Sequence, residues 1–173
     1  MILETGPLVP NDNLPNQLME AAAWIYMNGG LTLSADQMST FVQARCVGGG
    51  TLVNNSVAWV PQGAWAQLLM ERWSRFGAAL DWDRFFHSYE AMTKLLNVAP
   101  VNPQLFPPMA ETLRQGFSQT NYDASLVTCN VLNCIGCGRC NAGCRFAAKQ
   151  SMNETTLPRV VAKGALLVPG AHV

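Results

Sequence analysis

Two clusters of residues in this sequence have the types and spacing to do chemistry. Residues 47–55 read Val-Gly-Gly-Gly-Thr-Leu-Val-Asn-Asn. With no Cβ atoms, Gly48, Gly49 and Gly50 let the main chain take positive φ and bring N–H groups close to an anion. Thr51, Asn54 and Asn55 add a hydroxyl and two amides able to bond a polar cofactor. A glycine triplet by itself serves flexible turns as often. The second cluster is Cys134-x2-Cys137-x2-Cys140-x3-Cys144, the spacing of bacterial ferredoxin runs. Thiolates so spaced on a glycine-interrupted loop can converge on one iron–sulfur cluster, and Gly136, Gly138 and Gly143 supply the turns. Arg145 stands where ferredoxins place proline. Zinc would accept the same four thiolates, usually as two CxxC pairs held further apart. Disulfides could pair them in three ways.

Composition narrows the class. Of 173 residues 49% are hydrophobic and 13% charged, which argues against disorder and for a buried core. Eleven Lys and Arg balance eleven Asp and Glu, so the basic surface that displaces phosphate counterions from nucleic acid is not expected. No apolar run reaches the roughly 18–20 residues of a membrane-spanning helix. Met1–Pro10 lacks the basic and apolar regions of a signal peptide. The cytoplasm is the favoured compartment, with an upstream signal left open.

The elements that must position these groups follow from periodicity. Met1–Leu3 reads as a strand end. Leu14, Leu18, Ala21, Ala22 and Ile25 predict one helix face, ended by Asn28-Gly29-Gly30. Gln43–Trp59 predicts a glycine-rich loop and a β-branched run, broken at Pro61-Gln62-Gly63. Helices are predicted over Ala64–Phe76 and Met109–Thr120. Between them, Asp81 caps another whose buried stripe is Phe85, Phe86, Tyr89, Met92, Leu95 and Leu96. Pro100–Pro108 is irregular and Asn121–Cys144 loop. Ser151–Lys163 predicts a helix with a Ser151/Glu154 capping box and Pro158 awkwardly late in it. Ala165–Val168 predicts a strand.

The segment CVGGGTLVNNSV resembles the second glycine motif of the glucose–methanol–choline (GMC) FAD oxidoreductases, GG(G/S)(S/T)xxN. The resemblance is closest to the cholesterol-oxidase and long-chain fatty-alcohol-oxidase branch. Ile2–Pro7 is similar to the family's LEAG(P) strand end, whose acidic residue binds the adenosine ribose, a role that falls to Glu4. Asp83–Val98 resembles the helix preceding the substrate domain. Ala148-Lys149-Gln150-Ser151, Thr155–Pro158 and Gly164-Ala165 are similar to the AKQS…TYL…GA stretch. Gly50 replaces a frequent Ser, and Thr156 a frequent Tyr.

The resemblance implies an α/β fold: a partial Rossmann-like FAD-binding domain with a helical insertion and the start of a substrate domain. Residues 1–62 would be part of the FAD-binding domain and 63–120 a helical region toward the substrate domain. Residues 121–150 would be a Cys-rich loop, and 151–173 a helix and strand returning to the sheet. The parent enzyme would oxidise a sterol-like or long-chain alcohol by hydride transfer to flavin, with oxygen, a quinone or a cytochrome as electron acceptor. FAD would meet Glu4, Gly48, Gly49, Gly50, Thr51, Asn54 and Asn55. Cys134, Cys137, Cys140 and Cys144 would hold any metal, and an iron–sulfur cluster there would pass electrons onward. The alternative is a small iron–sulfur or zinc module built on these cysteines. The family's GxGxxG turn and catalytic His pair are not matched, and His87 and His172 occupy neither place. The sequence therefore reads as an internal fragment, expected to be inactive alone. Cys46 and Cys129 read as small buried hydrophobes, and Lys149 and Arg145 as anion contacts or solvated charges.

Overall fold

The computed structural model describes residues 1–60, 62–122 and 125–172. The expected break at Pro61, two residues of the expected Cys-rich loop (123 and 124) and Val173 lie outside them.

Strand β1 (Ile2–Glu4) pairs in parallel with β6 (Leu167–Pro169), Ile2 opposite Leu167 and Glu4 opposite Pro169. Helix α1 covers Leu18–Ile25. It starts four residues later than periodicity predicts because Leu14 precedes Pro15 and is held extended (φ −63°, ψ 136°). Leu14 still enters the core. Asn28 and Gly29 adopt left-handed φ and turn the chain out of the helix. β2 (Thr32–Leu33) and β3 (Thr40–Phe41) make a short antiparallel pair.

The predicted β-branched run is instead a one-turn helix, α2 (Gly50–Val53). Strand-like pairing resumes at Val57, opposite Cys129, with Asn130 N–H donating to the Ser56 carbonyl (3.0 Å). Helix α3 (Ala64–Arg75) forms close to its expected bounds. Asp81 accepts the Arg84 N–H and caps α4 (Trp82–Leu95). β4 (Val98–Pro100) pairs antiparallel with β5 (Thr128–Asn130) across helix α5 (Pro108–Ser118), so the stretch predicted as loop contains a strand and the irregular stretch begins at the end of one. β5 is bridged in turn to the 149–150 segment, Val131 opposite Lys149.

The last helix corrects the predicted capping box. α6 covers Thr156–Ala162, and Ser151–Thr155 forms a turn held on the Ser151 carbonyl. Glu154 does not reach back to Ser151; it accepts from Asn11 Nδ2 at 2.7 Å. Pro158 thus falls in the first helical turn, where its missing N–H is no loss.

The core is Val9, Leu14, Ala21, Ile25, Tyr26, Cys46, Leu52, Val53 and Ala142, directly around α2. No residue of α3, α4 or α5 is fully buried. The predicted buried stripe on α4 is therefore partly open: Phe86, Tyr89, Leu95 and Leu96 are half-buried, while Phe85 and Met92 are exposed. What holds the α3–α4 hairpin is local aromatic packing, with Trp73 stacked on Trp82 (centroids 5.6 Å) and Phe85 edge-on to both. The expected Rossmann-like arrangement is represented coarsely, by mixed helix and strand with small two-stranded sheets. No helix among the described residues is long and apolar enough to cross a membrane.

Candidate functional site

The glycine segment forms a tight turn ahead of α2. Gly48 (φ +91°) and Gly49 (φ +52°) lie in the left-handed region that L side chains avoid. Gly49 N–H closes the turn on the Cys46 carbonyl (2.9 Å). The N–H groups of Gly48 and Gly50 donate to no protein acceptor among the described residues. A β-carbon on Gly49 or Gly50 would meet nothing within 4 Å, so the outer side of the turn is open to a ligand. The inner side of Gly48 is filled by Asn153, whose Oδ1 is buried without a hydrogen-bond partner.

The polar residues after the turn divide by what they touch. Thr51 Oγ1 donates to the Gly48 carbonyl (2.6 Å) and accepts from Met152 N–H (3.0 Å), so it braces the turn. Asn54 Oδ1 accepts from Ser56 N–H (3.1 Å), which leaves its NH2 end available. Asn55 is exposed. An open cleft of about 440 Å³ adjoins the turn, lined by Gly50, Asn54, Asn55, Tyr26 and Asn141 among others. Tyr26 donates to the Asn141 carbonyl (2.6 Å) on the far wall, and burial raises its pKa above the usual phenol value.

Glu4 ends β1, and one carboxylate oxygen accepts Gly6 N–H (2.7 Å). Gly6 lies flat on the Arg45–Cys46 backbone: a β-carbon there would come within 2.2 Å of the Arg45 carbonyl. Val47 N–H then donates to the Pro7 carbonyl (2.9 Å). The strand end carrying Glu4 is thereby docked on the segment entering the glycine turn. Its charge is felt there: burial first, and then the Glu4 carboxylate, push the Cys46 thiol up to about 11.

The cysteine run does not assemble as its spacing predicts. Among the described residues no group of three or more Cys, His, Asp or Glu side chains is arranged to hold a metal ion, and all six cysteines are free thiols. Cys137 is exposed; Cys134, Cys140 and Cys144 are half-buried. Their sulfurs point to separate partners. Cys134 accepts Gly136 N–H (3.4 Å), Cys144 accepts Lys149 N–H (3.4 Å), and Cys140 lies 3.7 Å from Ser56 Oγ. Gly136, Gly138 and Gly143 all take positive φ, so the loop turns as expected without folding onto one centre. Cys46 and Cys129 are buried small groups.

Lys149 is the residue that sequence reasoning misjudged. It is 1% exposed, and its Nζ donates to the carbonyls of Leu52 (2.6 Å), Asn54 (2.9 Å) and Cys140 (2.8 Å). Burial pulls its pKa down to about 8 against the opposing influence of the Cys140, Cys144 and Cys46 thiols. The isolated bridge at Val131 that draws it inward leaves no periodic signature. Arg145 is tied at the surface to Asn16 Oδ1 and the Asp12 carbonyl, both at 2.8 Å. His87 and His172 are exposed.

The family described as GMC oxidoreductase matches residues 22–173, from α1 through β6. The chain is 29% identical over 176 residues to an uncharacterized GMC-type oxidoreductase, y4nJ, of Sinorhizobium fredii, covering all of this chain and 34% of that protein. It is 26% identical over 175 residues to the long-chain-alcohol oxidase FAO4B of Arabidopsis thaliana, covering 98% of this chain and 22% of that protein. The chain thus spans about a third of one curated relative and a fifth of the other. No solved structure matches. With the match covering most of its length, and with the open glycine turn within it, the chain belongs to the GMC oxidoreductase family, whose members are oxidoreductases built on a Rossmann-like FAD-binding fold.

Proposed function

We propose that this chain forms the FAD-contacting part of an oxidoreductase acting on the CH–OH group of a sterol-like or long-chain alcohol. The observation that carries the reading is the glycine turn, Cβ-free and open on its outer face at Gly49 and Gly50, with the Glu4 strand end docked on the segment that enters it.

The residues present fit such a group. Gly48 and Gly50 offer main-chain N–H donors with no protein acceptor among the described residues, suited to phosphate oxygens. Asn54 and Asn55 offer amides at the cleft wall. Glu4 keeps one carboxylate oxygen beyond the one bound to Gly6, suited to a ribose hydroxyl. Thr51 fixes the turn from inside. When bound, FAD supplies the acceptor for the hydride leaving the alcohol carbon. This chain's own part is to bind and orient that group. An electron acceptor (oxygen, a quinone or a cytochrome) completes the cycle. The long-chain preference is supported by the name of the Arabidopsis relative and by the aromatic wall at Trp59, Trp73, Trp82 and Phe86, which lines a cavity of about 250 Å³. The alternative, an iron–sulfur or zinc module, rests on the cysteine spacing alone.

The test uses the protein as encoded, with every residue it carries in the cell. Flavin content, iron and zinc are measured on the purified protein, and flavin absorbance is followed anaerobically on adding a long-chain, a sterol and a short-chain alcohol. Bleaching by the first or second with only trace metal is expected. A protein that neither carries FAD nor takes it up in a fluorescence titration would sink the reading.

A further inference from the structure

The glycine turn rests on a bed formed by residues 149–153. Met152 N–H reaches Thr51, Thr51 reaches Gly48, and Asn153 fills the space beside Gly48. Beneath them the Lys149 ammonium spends its three protons on three carbonyls. Two belong to the C-terminal end of α2, whose last carbonyls helix geometry leaves without partners. The third comes from Cys140, in the turn Cys140–Ala142.

A four-residue helix does not sustain itself, since its nucleation cost is never recovered by propagation. The shape of the segment that follows Gly49 is therefore imposed from outside, and Lys149 is the group that reaches its far end. Burying an ammonium is costly, and an apolar side chain of similar volume would fill the same space without that cost. What the apolar side chain could not do is draw carbonyls from two separate segments onto one point.

We infer that Lys149 is a positioning residue for the cofactor turn: it ties the end of α2 to the main chain of the cysteine-rich loop and so sets where Gly50, Asn54 and Asn55 face the cleft. The inference rests on the flavin reading for its ligand. It also assigns the cysteine-rich loop a task, since the Cys140 carbonyl, not the thiol, meets the turn.

The experiment compares Lys149→Met and Lys149→Arg with the wild type in the protein as encoded. FAD affinity is titrated by flavin fluorescence, and amide hydrogen exchange and thermal unfolding are followed in flavin-free protein. K149M is expected to weaken FAD binding about 10- to 100-fold, the effect of losing charged hydrogen bonds. Exchange should quicken over residues 48–55 and 139–144 and stay unchanged in α3 and α4. K149R, which keeps the charge and donors but carries a bulkier planar head, should recover part of the lost affinity. A merely structural role would lower the unfolding temperature with exchange raised everywhere and no recovery by arginine. K149M that binds FAD within about twofold of wild type, with unchanged exchange over 48–55, would overturn the inference. Should K149M not fold, Lys149→Gln takes its place under the same two outcomes. A wild type that binds no flavin would defeat the functional reading instead, and the exchange comparison would still decide the role of Lys149.

Discussion

Asn153 Oδ1 lies 2.0 Å from the point a β-carbon on Gly48 would occupy, so the amide and the glycine are fitted to one another. The same oxygen is buried and unpartnered. The three glycines of the turn are consequently not equivalent.

Gly48→Ala combines left-handed strain with a clash and should destabilise the protein by about 2–4 kcal/mol, with loss of flavin binding. Gly50→Ala or Gly50→Ser should fall within about 1 kcal/mol of wild type, because Gly50 opens a helix and faces empty space. Urea unfolding midpoints rank the variants. Equal losses at the two positions would contradict the packing described.

Stability at alkaline pH carries two opposed contributions around the turn. The unfolded chain releases the Cys46 proton near 9.0 while the folded thiol keeps it to about 11, so this contribution is present below the lower value and lost as pH rises through the upper one. Lys149 runs the other way. Its folded value of about 8 lies below the ordinary 10.5, so stability gains as pH rises between them. Cys46→Ala removes only the loss, and its unfolding midpoint should rise more, or fall less, than wild type between about pH 8 and pH 10.5. A variant that tracks the wild-type profile would refute the assignment.

Thiol reagents should sort the cysteines by exposure and acidity. Cys137 is exposed and should react first in native protein, with Cys134, Cys140 and Cys144 following. Cys46 and Cys129 are buried, with thiol pKa values raised chiefly by burial, and should react only on unfolding. Mass spectrometry of protein alkylated for increasing times gives the order. If all four residues of the run resist labelling together and a metal is co-purified, the free-thiol arrangement is wrong.

The local signals were legible where one residue type decides the geometry. The left-handed exit at Asn28-Gly29, the Asp81 cap and the positive φ of Gly48 and Gly49 all follow from side-chain or Cβ chemistry visible in a string of letters. Three features escaped, the first two because distant partners set them. Thr51–Val53 are β-branched or apolar and yet helical, since Lys149, nearly a hundred residues on, holds the end of that turn. Glu154 matches a capping box but finds Asn11 nearer than Ser151. The cysteine spacing suits a cluster, yet among the described residues no three ligands are arranged to hold a metal, and Cys134, Cys140 and Cys144 contact the Gly136 N–H, Ser56 and the Lys149 N–H. The stripe of α4 is apolar as its spacing implies, but only half covered.

The parallel pairing of β1 with β6 also sets an order of events during synthesis. Ile2 meets Leu167, about 165 residues later, and Ala171 N–H closes on the Glu4 carbonyl. A nascent chain can therefore build α1, the glycine turn and the α3–α4 hairpin while still leaving the ribosome, but it cannot settle the strand that bears Glu4 until its partner has emerged. The acid proposed for the cofactor's sugar is thus placed only after residues 167–171 have been made.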